Sequence, residues 1–547
     1  MISLVPLGGL GEIGRNLMAV ECGDDIVVVD CGLMFPEQEM LGIDLVIPDV
    51  TWLLERSDRV RGVVLTHAHE DHIGALPYVL PRLPVPVYGT ALTLGFLRNK
   101  LREHRLLDST DLRTVRAGES QRLGDIVCEW VHITHSVPDA CALALHTKDG
   151  VIVHTGDFKV DQTPVHGTPP DLARLARLGD EGVLLLLSDS TNAEHEGTTP
   201  SERHVASGLG SLFASAPGRI IMATFASNIS RLQQAVDAAA ANGRRCFIVG
   251  RSMLNNVRVG QELGFLRAPD LFVSPKQHTS VPDAELAVLC TGAQGEPMSA
   301  LARIAADEHP MVQLHDGDTV IISAKPIPGN EEAVHRTVNN LYRRGARVFN
   351  ASNHNVHASG HASREELKLM LTLTRPRYFV PVHGEYRHLA IHSELANAVG
   401  VPPDRILTAD NGTVIDVDAT SIQRREQRVP AGYVYVDGLS IDEAGDVVLR
   451  DRRLLAQDGV VIVALTVERG TGAVIAGPDL VSRGFIEDSA TDSLFEEARA
   501  HTLGLVQKLR PDAEWTVWQA SIHEGLARFL YSRTRRRPMI LPVVTEV

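Results

Sequence analysis

Cysteine is scarce in this chain, and its few thiols form no metal-binding or redox pair. The six cysteines stand at positions 22, 31, 128, 141, 246 and 290, so none belongs to a C-x-x-C motif. Six thiols in 547 residues do not make the dense disulfide framework of small secreted domains. We therefore expect a protein of a reducing compartment, with a cytoplasmic location.

Long apolar runs are also missing. No stretch approaches the roughly 18 consecutive apolar residues that a membrane-spanning helix needs. The N-terminal segment MISLVPLGGLGEIGRN contains Glu12 and Arg15 and has no basic region at its start, unlike a secretory signal. The sequence predicts neither a membrane anchor nor secretion.

An excess of positive charge is absent as well. The chain has 53 Lys and Arg against 68 Asp and Glu, a net charge of −15, which argues against a wholly basic nucleic-acid coat protein. Two local basic stretches are candidate groove residues, although solvated surface is the favoured interpretation of both. They comprise Arg98, Lys100, Arg102 and Arg105 in the first stretch and Arg244, Arg245 and Arg251 in the second.

The remaining composition is that of a globular protein with several domains. Hydrophobic residues are 44% and charged residues 22% of the chain. At roughly 100–200 residues per domain, the length predicts three or more domains. The first 190 residues contain short β-branched strands that end at polar residues, where loops usually carry function. These predicted strands cover 26–29, 60–65, 126–133, 151–153 and 183–187.

The middle and C-terminal parts have a different texture. Strands at 218–224, 245–249, 288–291 and 319–323 alternate with helical stretches, which predicts a second α/β domain. A strand at 378–381 then precedes His383, so the second domain is an insertion within the first. At the C-terminus we predict a strand at 460–467, a helix at 493–509, a strand at 514–517 and a helix at 522–535. The predicted boundaries are 1–200 and 353–428 for the first domain, 201–352 for the insertion, 429–451 for a linker and 452–547 for a C-terminal domain.

The segment THAHEDHIG carries the strongest chemical signal. His67, His69, Asp71 and His72 lie within six residues directly after a strand. A helix cap needs one Asp or Ser, not three histidines and an aspartate. Imidazole and carboxylate together suit zinc, manganese or iron. Three further candidate ligands follow other strands: His135, Asp157 and, 226 positions after Asp157, His383.

This ligand pattern resembles the metallo-β-lactamase superfamily. The resemblance implies an α/β fold, an αββα sandwich that holds two divalent metal ions. By motif position, His67, His69 and His135 hold one ion, Asp71, His72 and His383 hold the other, and Asp157 bridges them. Zinc is the expected metal and manganese the alternative, because N/O ligation suits both.

The rest of the chain indicates the substrate class. The long interval before His383, together with Asp189 and the HASGH segment at 357–361, resembles the β-CASP branch of that superfamily, which acts on nucleic acids. The segments GGLGEIGRN and SNISR (227–231) and the C-terminal domain resemble the bacterial ribonuclease J family. That family implies a metal-dependent ribonuclease with 5′→3′ exonuclease activity on 5′-monophosphate ends, endonuclease activity, and a role in RNA maturation and decay. It also implies an RNA substrate, a homodimer or homotetramer, and partners in RNA degradation.

The same resemblance assigns roles to individual residues. Asp71, His361 and Asp189 are the candidate catalytic residues: His361 contacts the scissile phosphate or assists the leaving group, and Asp189 orients His383 or another ligand. A pocket for the 5′ phosphate would use serine hydroxyls and close backbone approach. Its candidate residues are Ser227, Asn228, His357, Ser359, Gly360 and His361. The simpler alternatives are a structural histidine at 361, a helix N-cap at 189 and ordinary turns at the Ser and Gly positions.

Three other functions remain open at this point. The chain can be a β-CASP nuclease for DNA or for one RNA precursor, or a small-molecule metallo-hydrolase of the glyoxalase II or lactonase type. The inserted domain disfavours a small substrate, which needs no second domain over the site. It can also be a scaffold with an inactive site, but all seven candidate ligands are present.

Overall fold

The computed structural model describes residues 1–37, 40–268, 270–296, 298–327, 330–438, 440–441, 445–468, 470–486, 488–510 and 513–547. They form two compact units. The first comprises Met1–Phe35 and Val46–Val434, and the second comprises Pro36–Leu45 and Tyr435–Val547. Among the helices of these residues, none combines the length and apolar character that a bilayer crossing requires.

The first unit is built around two facing β-sheets. One hydrophobic core contains side chains of both sheets, such as Val27 and Val64 from one and Trp130, Leu143 and Leu185 from the other. The eight-stranded sheet has the order Ile422–Arg424, Ile415–Val417, Ile2–Gly8, Leu17–Cys22, Asp25–Val29, Val60–Val64, Val87–Gly89 and Leu112–Thr114. The six-stranded sheet has the order Tyr378–Val382, Val183–Asp189, Gly150–His154, Cys141–Thr147, Ile126–His132 and Ser120–Leu123.

Helices cover the outer faces of the two sheets, which completes the four layers. The helix Ala91–Glu103 packs on one edge of the eight-stranded sheet. The six-stranded sheet packs its outer face on Leu367 and Leu371 of one helix and Leu175 and Leu178 of another. The predicted αββα sandwich is therefore confirmed. The unit's helices outside the inserted segment are Thr51–Leu54, Glu70–Ile73, Leu76–Val79, Ala91–Glu103, Leu172–Glu181, Arg364–Thr374 and Tyr386–Ala398.

A parallel five-stranded sheet occupies the inserted segment. Its strands pack a second hydrophobic core that includes Ile221, Val288 and Val320. The continuous runs of buried aliphatic residues are typical of parallel strands covered on both faces. The strand order is Arg245–Val249, Leu286–Cys290, Ile220–Ala223, Thr319–Ile322 and Arg347–Asn350. The helices are Glu202–Ser215, Ile229–Ala241, Arg251–Glu262, Ala300–Ala306 and Glu331–Arg343.

The second unit has an α/β core of its own, and one predicted element in it is wrong. Residues 514–517 do not form a strand, because Glu514 is the N-cap of the helix Trp515–Thr534 and the other three residues form its first turn. Trp518, Ile522, Leu526 and Leu530 are its buried residues at a four-residue spacing, so helical periodicity overrides the strand preference of Trp and Val. The sheet has the order Val474–Arg483, Val460–Val467 and Met539–Glu546, and the other helices are Asp446–Asp458 and Asp488–Val506. The predicted boundary at 452 falls inside the first of these two helices.

Arg244 is a second correction, because it is not part of a basic surface. The side chain is 3% exposed and donates hydrogen bonds to the carbonyl oxygens of Gly218 and Ala216. It therefore fixes the turn before the strand Ile220–Ala223. Arg245 and Arg251 are exposed, as are Arg98, Arg102 and Arg105 of the other stretch.

Candidate metal centre

A buried carboxylate fixes the conformation of the loop that follows the strand Val60–Val64. Asp30 accepts hydrogen bonds from the backbone N–H and the hydroxyl of Thr66, both at 2.8 Å. The same carboxylate lies 2.7 Å from Nδ1 of His72. Asp30 has a φ of 58°, a left-handed backbone conformation that turns the chain at the end of its own strand. Two adjacent strand ends thereby orient the HxHxDH segment.

The structure brings three predicted ligands and Asp157 into one group. His67 Nε2 lies 3.0 Å from His69 Nδ1, and His135 Nε2 lies 3.1 Å from the same atom. Oδ2 of Asp157 lies 3.6 Å from His67 Nε2 and 3.9 Å from His135 Nε2. Three ring nitrogens therefore converge on one point beside a carboxylate oxygen.

A second group shares Asp157 with the first. Oδ2 of Asp157 lies 3.2 Å from His72 Nε2 and 3.3 Å from His383 Nε2. Oδ2 of Asp71 lies 3.5 Å from His72 Nε2 and 3.7 Å from His383 Nε2. The candidate ligand atoms within each group lie within 4.8 Å of one another. All seven predicted ligands thus meet around one carboxylate, although they are spread over more than 300 positions of the sequence.

Protein partners orient the ring nitrogens that face away from the groups. His135 Nδ1 donates to the carbonyl oxygen of Gly360 at 2.7 Å, and His67 Nδ1 lies 3.0 Å from the Thr66 hydroxyl. His69 Nε2 lies 3.2 Å from the Ser136 hydroxyl. Such outer hydrogen bonds fix the tautomer and the direction of a metal-ligating imidazole.

The donor set fits a divalent cation. Nitrogens around tetrahedral zinc lie about 2.0–2.1 Å from the ion and so roughly 3.3 Å from each other. The spacings of 3.0 and 3.1 Å in the first group are close to that value. Oδ1 of Asp157 is buried and has no hydrogen-bond partner among the residues that the structure describes. A buried carboxylate oxygen without a partner is costly unless a cation compensates it.

The electrostatics favour the ligand forms of these side chains. Burial and the neighbouring histidines lower the pKa of His67 and His135, and burial lowers the pKa of His69 to about 4. These imidazoles are therefore neutral at pH 7 and keep a lone pair for a cation. Burial acts to raise the pKa of Asp157, but the surrounding histidines outweigh it and hold that pKa well below its ordinary range.

His361 and Asp189 form a hydrogen-bonded pair at the edge of the two groups. His361 Nδ1 donates to Asp189 Oδ2 at 2.8 Å, and Thr191 donates to the other carboxylate oxygen through its N–H and its hydroxyl. Burial acts to lower the pKa of His361, but Asp189 outweighs it and raises that pKa to about 9. Asp189 is therefore the hydrogen-bond partner of His361, although the sequence expectation also allowed His383 in that place.

The residues of the predicted phosphate pocket contact different neighbours and do not meet at one point as the candidate ligands do. Ser359 accepts a hydrogen bond from Asn192 at 2.8 Å. A Cβ on Gly360 would lie 2.5 Å from Cε1 of His135, so only glycine lets this backbone approach the metal groups. Asn228 caps the helix Ile229–Ala241 by accepting from the Arg231 N–H.

Sequence reasoning missed several residues that hold this centre together. Asn16 donates to the backbone carbonyl oxygen of Asp71 at 3.0 Å, and Asn192 donates to that of His361 at 2.9 Å. Glu202 was also missed, and Arg231 was noticed only as the last residue of the SNISR segment, with no role assigned to it. Their partners are distant in sequence, so no local pattern in one sequence indicates them.

Family profiles match most of the chain. The profile described as "Metallo-beta-lactamase superfamily" matches residues 10–188, and "Ribonuclease J, beta-CASP domain" matches residues 217–341. The profile "Zn-dependent metallo-hydrolase RNA specificity domain" matches residues 348–404, and "Ribonuclease J C-terminal domain" matches residues 447–547.

Curated relatives align with the chain over its full length. It is 41% identical to "Ribonuclease J2" of Bacillus subtilis, covering 100% of this chain and 99% of the relative. It is 43% identical to "Ribonuclease J" of Thermus thermophilus, covering 100% and 95%, and 43% identical to "Ribonuclease J" of Mycobacterium tuberculosis, covering 100% and 97%.

A solved structure shares the fold at low sequence identity. The "Crystal Structure of a Protein of Unknown Function from Enterococcus faecalis V583" superposes with a TM-score of 0.54 and 17% identity. It covers 76% of this chain and 99% of the solved one.

Proposed function

The chain belongs to the ribonuclease J family and is a metal-dependent ribonuclease, and we propose that it degrades RNA from 5′-monophosphate ends and also cleaves internally. The observation that carries this proposal is the pair of His and Asp groups that share Asp157. Such paired groups suit a substrate whose attacking and leaving oxygens both carry negative charge, as in phosphodiester hydrolysis. RNA maturation and decay are the processes that such an activity serves.

We propose that two divalent cations bind here and that both are zinc, with manganese as the alternative. His67, His69 and His135 would hold one, and Asp71, His72 and His383 the other, with Asp157 between them. When bound, the cations would activate water and neutralise charge on the phosphodiester. Three imidazoles in one group favour zinc, and the carboxylate-rich second group suits zinc or manganese.

His361 supplies the proton in this proposal. With a pKa raised to about 9, it is protonated at pH 7 and can donate to the leaving oxygen. Asp189 acts through His361 and is a positioning residue. Asp71 contributes charge within the second group, where it lies 3.5 Å from His72 and 3.7 Å from His383.

The 5′ phosphate would bind between the inserted segment and the HASGH segment. His357 supports this, because its Nδ1 is buried and has no hydrogen-bond partner within the part of the chain that the structure describes. Helix Ile229–Ala241 begins beside Ser227 and Asn228, and the N-terminus of a helix attracts anions. Asn228 uses Oδ1 as the helix cap, so its amide nitrogen is the group that would reach a phosphate. Ser359 and Gly360 would complete the pocket.

The remaining expectations stay proposals. The domain boundaries 1–200, 201–352, 353–428, 429–451 and 452–547 stay proposals, and the one at 452 lies within the helix Asp446–Asp458. The six cysteines are all free, which supports a cytoplasmic location. A homodimer or homotetramer is supported by exposed apolar side chains on the C-terminal sheet, namely Ile475, Val481, Leu541 and Val543. RNA-degradation partners are expected from the family alone.

One comparison of substrates tests the proposal. The purified full chain is incubated with the same RNA sequence as a 5′-monophosphate, a 5′-triphosphate and a circle, and with the matching DNA. We expect mononucleotides from the monophosphate alone, slow internal cleavage of the circle, and no product from DNA. Equal degradation of DNA would favour the broader β-CASP nuclease, and hydrolysis of a thioester or lactone without RNA cleavage would favour the small-molecule hydrolase.

A further inference from the structure

A buried arginine connects three separate segments of the first unit. Arg231 Nη2 donates to Oε2 of Glu202 at 2.6 Å. Its other terminal nitrogen, Nη1, donates to the hydroxyl of Ser323 and, at 2.8 Å, to the carbonyl oxygen of Val356. The Arg231 side chain is 0% exposed. One guanidinium therefore ties the beginning of the inserted segment to the backbone that leaves it.

Glu202 extends this connection to the metallo-β-lactamase part of the chain. Its other oxygen, Oε1, accepts from Nζ of Lys159 at 3.3 Å, and the Lys159 side chain is also buried. Lys159 lies two positions after Asp157, the shared carboxylate of the metal groups. We call Lys159, Glu202, Arg231, Ser323 and Val356 the Arg231 network.

The charges of the network balance once Asp161 is included, because Asp161 Oδ2 lies 3.7 Å from Lys159 Nζ. Burial acts to raise the pKa of Glu202, but Arg231 and Lys159 outweigh it and lower that pKa below its ordinary value. Glu202 is therefore ionised at pH 7 between two cations. Removing one member leaves a buried charge without its partner, which is far costlier than losing an exposed ion pair.

The HASGH segment is held from two sides. Its end nearer the metal groups is fixed independently of the network, since His361 binds Asp189 and its carbonyl oxygen accepts from Asn192 and Thr199. Its beginning is fixed by the Arg231 network, which grips the carbonyl oxygen of Val356 directly before His357. The two anchors are thus separate, one beside the predicted proton donor and one beside the predicted phosphate pocket.

We propose that Arg231 and Glu202 are positioning residues that place His357 for recognition of the 5′ end, without acting on bond cleavage. The assignment rests on the proposed function of the HASGH segment. Arg231 lies in the first turn of helix Ile229–Ala241, about one turn after Ser227 and Asn228. Its side chain therefore links the segment that contains those two residues to the segment that begins at Val356. Loss of the guanidinium fork leaves the Val356 carbonyl oxygen with the Ser323 hydroxyl as its remaining side-chain donor and removes the link to Glu202, while the anchors of His361 remain. Recognition of the 5′ phosphate then weakens and internal cleavage persists.

The test compares two activities of the same purified variant. Arg231→Lys keeps the charge but cannot reach Glu202, Ser323 and Val356 together with one ammonium group. We expect kcat/KM on 5′-monophosphate RNA to fall about 10-fold or more, as for other residues that orient functional side chains. The fall in kcat/KM should come from a higher KM. The rate of circular RNA cleavage should change less than about threefold, because His361 keeps its own hydrogen-bond partners in the variant.

A second buried pair in the inserted domain provides a matched control. Arg219 and Asp318 are buried and lie 2.6 Å apart, at the opposite ends of the strands that lead to Thr224 and Ser323. Arg219→Lys should lower the melting temperature as much as Arg231→Lys does. It should leave the ratio of 5′-monophosphate degradation to circular RNA cleavage at the wild-type value.

The outcomes separate this inference from the proposed function. If Arg231→Lys keeps the wild-type ratio, or if Arg219→Lys changes the ratio equally, the positioning role is wrong while the proposed function stands. If the wild-type enzyme degrades 5′-hydroxyl and 5′-monophosphate RNA equally, the proposed function fails and the positioning role fails with it. Should Arg231→Lys not fold, Glu202→Gln is judged by the same ratio and the same two limits.

Discussion

In the metal centre, seven His and Asp side chains turn their ring nitrogens and carboxylate oxygens toward a common point, whereas in the Arg231 network every charge faces an opposite charge. Among the described residues, the first arrangement leaves Asp157 Oδ1 without a hydrogen-bond partner, and the second pairs both oxygens of Glu202. Five of the seven candidate ligands are buried, as are Lys159, Glu202 and Arg231, so the difference does not come from exposure. It shows that one cluster is built to receive a cation and the other to hold segments of the chain together.

The largest expected effect on RNA cleavage comes from removing a candidate ligand of the metal centre. His69→Ala should lower RNA cleavage by at least about 10³-fold, more than the loss of one transition-state hydrogen bond. The fold should persist, because a cluster that needs a cation contributes little stability without one. Cleavage of 5′-monophosphate RNA and a thermal melt are the two measurements. The exposed His523 gives the control His523→Ala, which should match the wild type, and an active His69→Ala would remove His69 from the centre.

A smaller effect is expected where a residue acts through a ligand-like neighbour. Asp189→Asn should lower kcat by about 10- to 100-fold, because the amide no longer holds His361 protonated and oriented. Bound metal should stay at the wild-type level, since Asp189 is not among the seven predicted ligands. Single-turnover cleavage together with metal analysis checks this. A parallel loss of metal and rate would instead place Asp189 among the ligands.

The network should affect stability rather than bond cleavage. Glu202→Gln should lower the free energy of unfolding by about 3–5 kcal/mol at pH 7, the usual cost of breaking a buried ion pair. The folded-state pKa of Glu202 lies below its ordinary 4.5, so its stabilisation is complete above pH 4.5 and is lost as the pH falls further. Urea unfolding at several pH values measures this. The difference in the free energy of unfolding between the variant and the wild type should become smaller below pH 4.5.

An exposed ion pair provides the reference for that experiment. Asp180 and Arg375 are bonded at the surface, with side chains 72% and 56% exposed. Asp180→Asn should cost less than about 1 kcal/mol at any pH. If Glu202→Gln lowers the free energy of unfolding by an equally small amount, or by more in acid than at pH 7, the account of the network is wrong.

The candidate ligands could be picked out in the sequence because they follow strand ends. The predicted strands 126–133, 151–153 and 378–381 belong to the six-stranded sheet and end at one edge of it. The strand 60–65 belongs to the facing sheet, and its end lies at the same place, so the residues that follow all four strands can meet. The seven ligands do so. The Arg231 network escaped prediction because its members share no local motif. Lys159 and Glu202 look like ordinary polar residues, Val356 takes part through its backbone carbonyl oxygen, and Arg231 stands in the SNISR segment without any sign of its distant partners.

The errors also have physical causes. Arg244 stands in a basic stretch and was expected at the surface, but its buried guanidinium donates hydrogen bonds to two backbone carbonyl oxygens of a turn. Residues 514–517 have strand-forming side chains, but Trp518 and Ile522 pack as one face of a helix. Local composition decides neither case, because tertiary contacts several residues away determine the outcome.

Metal analysis of the full chain tests the central claim most directly. Purified wild-type protein and Asp157→Asn are dialysed, analysed for divalent metals by mass spectrometry, and assayed for RNA cleavage before and after chelation. The account predicts two ions per wild-type chain, a loss of cleavage on chelation that zinc or manganese reverses, and fewer than two ions in the variant. Full cleavage by wild-type protein that contains no divalent metal would contradict it.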